Sequence, residues 1–288
     1  MFYSVEDLVD QSAKYDSVAE LMIAVEIEMT GRTKEEILDL MERNLTVMEQ
    51  SVAEGVAGVV SVTGLTGGDA KRMDEYLETA DFLSGDLILK AVRNAIGVNE
   101  VNAKMGLVCA TPTAGSAGVV PGVLMACREK LQLSRRQQLD FLFAAGAFGL
   151  VMANNASISG AEGGCQAEIG SASAMAAAAL VLAKGGTAEQ AGQAIAMTLK
   201  NMMGLICDPV AGLVEVPCVK RNALGSSQAF ISADMALAGI QSVIPVDEVI
   251  ATMYRVGRQM PSIFKETAEG GLAVTPTAQR LTKEILEK

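Results

Sequence analysis

An all-α fold is what this sequence predicts, and three observations carry the prediction. Of its 288 residues 42 are alanine and 16 methionine, with no tryptophan and four tyrosines. That composition suits close-packed helices better than sheets, which favour aromatic and β-branched side chains. Helix-start signals recur along the chain, each a Ser or Thr followed three residues later by Glu or Gln: Thr33 with Glu36, Ser134 with Gln137, and Thr187 with Gln190. No convincing run of alternating apolar and polar residues marks a strand.

After Thr33, the residues Ile37, Leu40, Met41, Leu45 and Met48 recur at helical spacing. A Gly-rich passage, "VTGLTGGDAKR" from Val62 to Arg72, leads into helical patterns near 69–80 and 86–96. "CATPTAGSAGVVPG", Cys109 to Gly122, reads as a loop, and Pro121 suits the first position of the next helix. Ser134 opens a helix running towards Met152. "NNASISGAEGGC" is again a loop, and from Cys165 "QAEIGSASAMAAAALVLA" is a small-residue helix that Gly185 and Gly186 stop. Thr187 starts a helix reaching about Met203. Leu205 to Ala223 reads as loop, and helices near 226–239, 246–259 and 277–287 complete the chain. With no repeat and no low-complexity linker, the expectation is one domain over 1–288, with acidic helices in residues 1–100 packed on a core formed by residues 101–288.

Charge is unevenly placed. The net charge is −11, yet residues 1–100 carry 20 acidic against 8 basic side chains, and the remainder 14 against 15. Nucleic-acid backbones need clustered Lys and Arg, and the only short basic runs are Lys71-Arg72, Arg135-Arg136 and Lys220-Arg221, so nucleic acid is not an expected partner. Two charge-free windows, Met105–Cys127 and Phe141–Ala161, are long enough to cross a bilayer. Their prolines, glycines, asparagines and serines instead predict buried core and buried loop, with no membrane partner. The opening "MFYSVEDLVD" has no basic stretch followed by an apolar one, which points to a cytoplasmic protein.

Five cysteines form no disulfide framework, and the chain has no histidine, which removes the usual general base and most mixed zinc sites. Cys109 ends an apolar run and Cys127 lies in a helical pattern; both read as structural. Cys165, Cys207 and Cys218 are spaced C-x41-C-x10-C, which is neither a zinc-finger nor a ferredoxin pattern. By spacing alone, small buried hydrophobes are the favoured reading and metal ligands the alternative. Context favours the thiolate for Cys165, which follows "EGG" at a helix start. The loops "TGLTGGDAK" and "TPTAGSAGVVPG" can be tight turns, or can cradle an anion with their backbone N–H groups. Neither carries the P-loop lysine or a dinucleotide-binding pattern.

Four blocks, "LTGGDA" (65–70), "NEVNAKMGLVCATPTAGSAGVVPG" (99–122), "GAEGGCQAEIGSASAMAAAAL" (160–180) and "CDPVAGLVEVPCVKRNA" (207–223), resemble the α subunit of the bacterial iron-sulfur-dependent L-serine dehydratases. The resemblance spans nearly the whole chain in the family's order. It implies an all-helical catalytic chain in which Cys165, Cys207 and Cys218 hold a [4Fe-4S] cluster with one open iron. It also implies β-elimination of water from L-serine to give pyruvate and ammonia, and a separate β subunit as partner. Iron with an open position suits the poor hydroxide leaving group, since it acts as a Lewis acid. A pyridoxal mechanism lacks a lysine in a matching context.

The loop 111–122 is the expected holder of the serine carboxylate, with Thr111, Thr113, Gly115, Ser116 and Gly118, and with Asn102 and the 66–69 loop lining the same pocket. The base that removes the α-proton is open: Lys71, Asp69, Ser116, Lys104, Lys220 and Asp208 are candidates within the chain, and a histidine of the β subunit is preferred. Two alternatives stand beside this reading: an L-cysteine desulfidase using the same cluster, and a helical interaction subunit with no cofactor.

Overall fold

The computed structural model describes residues 1–287, and among them there are thirteen α-helices and no strand. The acidic third holds α1 (Val5–Ser12), α2 (Val18–Thr30), α3 (Lys34–Ala57) and α4 (Asp69–Glu78), and α5 (Asp86–Ala103) leads out of it. Then come α6 (Val119–Lys130), α7 (Arg135–Asn155), the single turn α8 (Gly160–Gly163), α9 (Cys165–Ala183) and α10 (Ala188–Met202). The chain ends with α11 (Cys218–Leu237), α12 (Val246–Gln259) and α13 (Pro276–Leu286).

Every residue of α9 from Cys165 to Val181 is buried. Small side chains all round this helix let α6, α7, α10 and α11 pack directly against it. Of the described helices it alone is long and apolar enough to cross a membrane, and nearly all of it lies inside the protein. The two charge-free windows singled out by sequence lie elsewhere, one on the loop before α6 and most of α6, the other on most of α7 and the loop after it.

All three expected capping boxes form, at the starts of α3, α7 and α10. Three boundaries differ from the sequence reading. Pro121 is the third residue of α6, not its first; the opening N–H groups of a helix have no intrahelical acceptor, so a proline there loses no bond. Helix α5 continues past 96 to Ala103. Helix α11 begins at Cys218, not near 226, so that cysteine opens a helix and does not sit in loop. Its first turn is secured by bonds from Val219 N–H to Glu215 O (3.0 Å) and from Arg221 N–H to Pro217 O (3.0 Å). Asn222 also donates to Cys218 O at 2.9 Å.

The acidic third meets the rest of the chain partly through charge. Arg135 pairs with Glu42 (2.5 Å) and Glu49 (2.8 Å), Arg128 with Glu49 (2.6 Å), and Arg136 with Glu20 (2.6 Å). These pairs are half-exposed, so each contributes about 1 kcal/mol or less. The stronger tie is the packing of α5 on α6 and α11 and of α2 on α7, and burial also joins the helices within the acidic third. Helices α3 and α5 cross where Gly55 faces Gly97, and a Cβ on Gly55 would stand 2.2 Å from Gly97 O. Glu100 of α5, fully buried, accepts from the N–H groups of Asp69 (2.7 Å) and Ala70 (3.3 Å), capping α4 from outside; burial raises its carboxyl pKa.

Gly55→Ala is expected to lower stability by about 1–3 kcal/mol, because two helix backbones must separate. Gly146→Ala, at a helical position in α7 where the added methyl meets nothing within 4 Å, is expected to be neutral or to stabilise by up to about 1 kcal/mol. Urea unfolding of both variants checks the pair.

Candidate metal centre

The N-terminus of α9 is the focus of the site. Cys165, its first residue, and Glu168, one turn on, lie on one face. With Cys207 from the loop after α10 they form a buried group whose ligand atoms all lie within 4.8 Å of one another. Cys207 is held by backbone pairing to the segment after α12, through Cys207 N–H to Phe264 O (2.8 Å) and Glu266 N–H to Cys207 O (2.9 Å). Cys218, 5 % exposed at the start of α11, stands outside that tight group. Burial, with the charges of Cys165 and Glu168, raises its thiol pKa well above the ordinary value.

Arg221, one turn into α11, organises the charges. Its Nη1 donates to Cys165 Sγ at 3.3 Å and to Ile206 O at 2.9 Å, while Nη2 donates to Asp208 Oδ1 at 2.8 Å. The pKa of Cys165 is lowered, by the hydrogen bond shared with Cys207 and then by the Arg221 charge. Cys207 is shifted the other way by the same bond and by burial. With the Arg221 guanidinium on its sulfur and its place at the start of α9, Cys165 is the readier thiolate of the two. Burial raises the Glu168 carboxyl, opposed by a hydrogen bond from Thr113 Oγ1 and reinforced by the charge of Glu266.

The donor chemistry fits an iron-sulfur group. Three thiols are soft ligands suited to zinc or iron-sulfur clusters, not to magnesium or calcium. Two of them begin long helices, where the partial positive charge favours thiolate. Cys127 is different: it lies in the middle of α6 with its thiol pKa pushed up to about 12 by burial, and Cys109 is half-buried beside Asn44.

The loop before α6 reaches this centre from the other side. Thr113 Oγ1 meets Glu168 and lies 3.0 Å from Ser116 Oγ. A Cβ on Gly115 would stand 2.5 Å from Glu168 Oε1, so the backbone approaches the carboxylate as closely as glycine allows. The opposite edge of the loop is tied down by asparagines. Gly115 O accepts from Asn222 Nδ2 (2.7 Å) and Asn99 Nδ2 (3.1 Å), and Gly118 N–H donates to Asn222 Oδ1 (3.1 Å). Of the residues expected to bind a carboxylate, Thr113 and Ser116 therefore lie at the centre. Thr111 is turned towards Ala117 O (3.4 Å), and Gly118 directs its N–H to α11.

Several expected residues are elsewhere. Asn102, near the end of α5, makes no hydrogen bond to the thiols or to the 111–118 loop among the described residues. Lys71 is exposed on α4, Lys104 pairs with Glu54, and Lys220 pairs with Asp69, which also holds Arg72. Asp208, 2 % exposed, has both oxygens engaged, one by Arg221 and the other by Leu272 N–H at 2.7 Å, which suits an anchor for Arg221 and not a base. Sequence reasoning passes over Glu168, Asn222 and Glu266. Glu168 has a signal, as the only charge between Glu162 and Lys184. Glu266 has none, being brought to Cys207 by tertiary pairing alone.

An all-helical chain that brings two thiols and a carboxylate together at the buried start of one helix, with a hydroxyl-bearing loop facing them, offers a ligand set that could hold a metal. Similarity to known proteins gives the family. The sequence profile described as "Serine dehydratase alpha chain" matches residues 14–273, and the chain belongs to that family. It is 60 % identical over 286 residues to the probable L-serine dehydratase, alpha chain, of Bacillus subtilis (strain 168), covering 99 % of this chain and 95 % of the relative. Identity to the L-serine dehydratase, alpha chain, of Peptoniphilus asaccharolyticus is 44 % over 273 residues, 94 % of this chain and 93 % of that one. L-serine dehydratase 1 of Escherichia coli (strain K12) is 38 % identical over 259 residues, which are 88 % of this chain and 57 % of the longer protein.

Breaking the buried Arg221–Asp208 pair leaves a carboxylate without its counter-ion, so Arg221→Met is expected to lower the stability of the metal-free chain by about 3 kcal/mol. Urea unfolding checks this, with Lys220→Met, at an exposed ion pair, expected to cost under about 1 kcal/mol.

Proposed function

We propose that this chain is the catalytic α chain of an L-serine dehydratase, which removes water from L-serine and yields pyruvate and ammonia with a [4Fe-4S] cluster on Cys165, Cys207 and Cys218. The observation that carries the reading is the buried meeting of Cys165, Glu168 and Cys207 under the Thr113 loop, in a chain of the serine dehydratase α family. When bound, the cluster supplies an iron with an open position, a Lewis acid for the hydroxyl and carboxylate oxygens of the substrate.

The rest of the chemistry falls to the protein. Arg221 holds the Cys165 sulfur and offsets negative charge in the buried site. The Thr113 and Ser116 hydroxyls and the loop around them orient the substrate carboxylate. Burial excludes water, which strengthens each polar contact. In the elimination the α-proton leaves Cα and hydroxide leaves Cβ, giving an aminoacrylate; its imine tautomer takes up water and releases ammonia and pyruvate. Asp208 is engaged and the lysines are exposed or paired. The proposed base is therefore a histidine of a separate β subunit, and the greater length of the Escherichia coli relative supports a further segment of that kind. A reducing cytoplasm is the proposed location, where thiols and an oxygen-sensitive cluster persist.

Protein purified without oxygen is expected to be brown, with about four irons per chain. Cys207→Ala and Cys218→Ala should lose iron and activity, while Cys127→Ala keeps its iron; equal loss in all three variants would mean that the ligand set is wrong. Pyruvate formation should be faster from L-serine than from L-cysteine, and the reverse order would assign a desulfidase. Cluster-loaded α chain alone is expected to turn over far more slowly than the αβ complex, and equal rates would remove the base from the partner.

A further inference from the structure

Gly160, the first residue of α8, marks a convergence point. A Cβ built there would lie 2.9 Å from Cys207 Sγ, 3.4 Å from Glu168 Oε2 and 3.4 Å from Glu266 Oε2. Two carboxylates from distant regions of the chain thus face the same small space beside a thiol. Neither has a cationic partner among the described residues, because the nearby guanidinium of Arg221 is engaged by Asp208, Cys165 and Ile206. Glu168 is held from its other oxygen by Thr113. Glu266 sits on a backbone with φ of +65°, a left-handed conformation that a glutamate adopts only at a cost. The bond from its N–H to Cys207 O at 2.9 Å keeps it there.

Glu168 is buried and Glu266 half-buried; carboxylates so close without a counter-ion repel one another, and a cation between them relieves the repulsion. L-serine brings such a cation in its α-ammonium group. Its carboxylate has the Thr113 loop, and its hydroxyl has the metal centre, which leaves the ammonium to be recognised.

We propose that Glu266, with Glu168 opposite, binds the α-ammonium of the substrate and selects α-amino acids over the corresponding hydroxy acids. This rests on the L-serine dehydratase reading above. In the complex the ammonium lies near the Gly160 Cα, donating to one oxygen of each carboxylate, and Glu266 acts as a specificity residue that reaches the site from the 262–274 segment.

The test uses the cluster-loaded αβ complex with Glu266→Gln, which keeps side-chain size and removes the charge. KM for L-serine is expected to rise roughly 10- to 100-fold, the value of a charge-assisted hydrogen bond. Iron content and the visible spectrum should match wild type. 3-Hydroxypropionate, which is L-serine without its amino group, should inhibit variant and wild type with equal constants, and Glu266→Asp should recover part of the lost KM. An unchanged KM overturns the proposal. So does an equal weakening of L-serine and 3-hydroxypropionate, or a loss of iron in Glu266→Gln, since either would show a structural role. If wild-type complex forms no pyruvate from L-serine, it is the dehydratase reading that fails, which keeps the two outcomes apart.

Discussion

The structure depends on the complete burial of one helix. From Cys165 to Val181, α9 presents alanine, serine and glycine on every side, with few larger residues among them. Small side chains cover little area each, so the stabilisation comes from close approach: α6, α7, α10 and α11 lie directly on its surface, where dispersion contacts are dense. The consequence is positional. A helix buried from its first residue buries its N-terminus, and that end carries Cys165 and Glu168 into the interior.

Polar groups at such depth need partners, and the neighbouring elements supply them. Arg221 reaches from α11 to Cys165, Ile206 and Asp208, and Asp208 is completed by Leu272 N–H. Asn222, the next residue, uses its carboxamide to tie Cys218 O to the 115–118 loop. Two adjacent residues of α11 therefore fix a thiol, a carboxylate and the loop that faces them. Glu215, 4 % exposed, extends the same logic outward: its two oxygens accept from Thr63 (2.8 Å) and Thr66 (2.9 Å), holding the first Gly-rich loop against the cysteine loop.

Charge has two separate uses in this chain. The excess acid of the first third is largely a surface property, matched in part by Arg128, Arg135 and Arg136. The other short basic runs are also neutralised in part, Arg72 and Lys220 by Asp69 and Arg221 by Asp208. Near the thiols the count is small and each group matters. One guanidinium faces Cys165 and Asp208, while Glu168 and Glu266 crowd the remaining space.

Local chemistry makes the helices legible. The capping boxes at Thr33, Ser134 and Thr187, the stop at Gly185 and the alanine-rich run after Cys165 all act over a few residues, so the sequence by itself determined them. The start of α11 escapes such a reading because its first turn depends on Glu215, Pro217 and Asn222 acting together around a Pro-containing segment, which has no simple periodic signature. The three thiols can be named through long family blocks, whereas their spacing leaves ligand and core residue unresolved. Only the tertiary structure decided that Cys207 meets Cys165, that Asp208 serves Arg221, and that Glu266 arrives beside Glu168 from a distant segment of the chain. Such contacts are stabilised by burial of whole helices, and no short stretch of sequence encodes where two buried surfaces will bring distant side chains together.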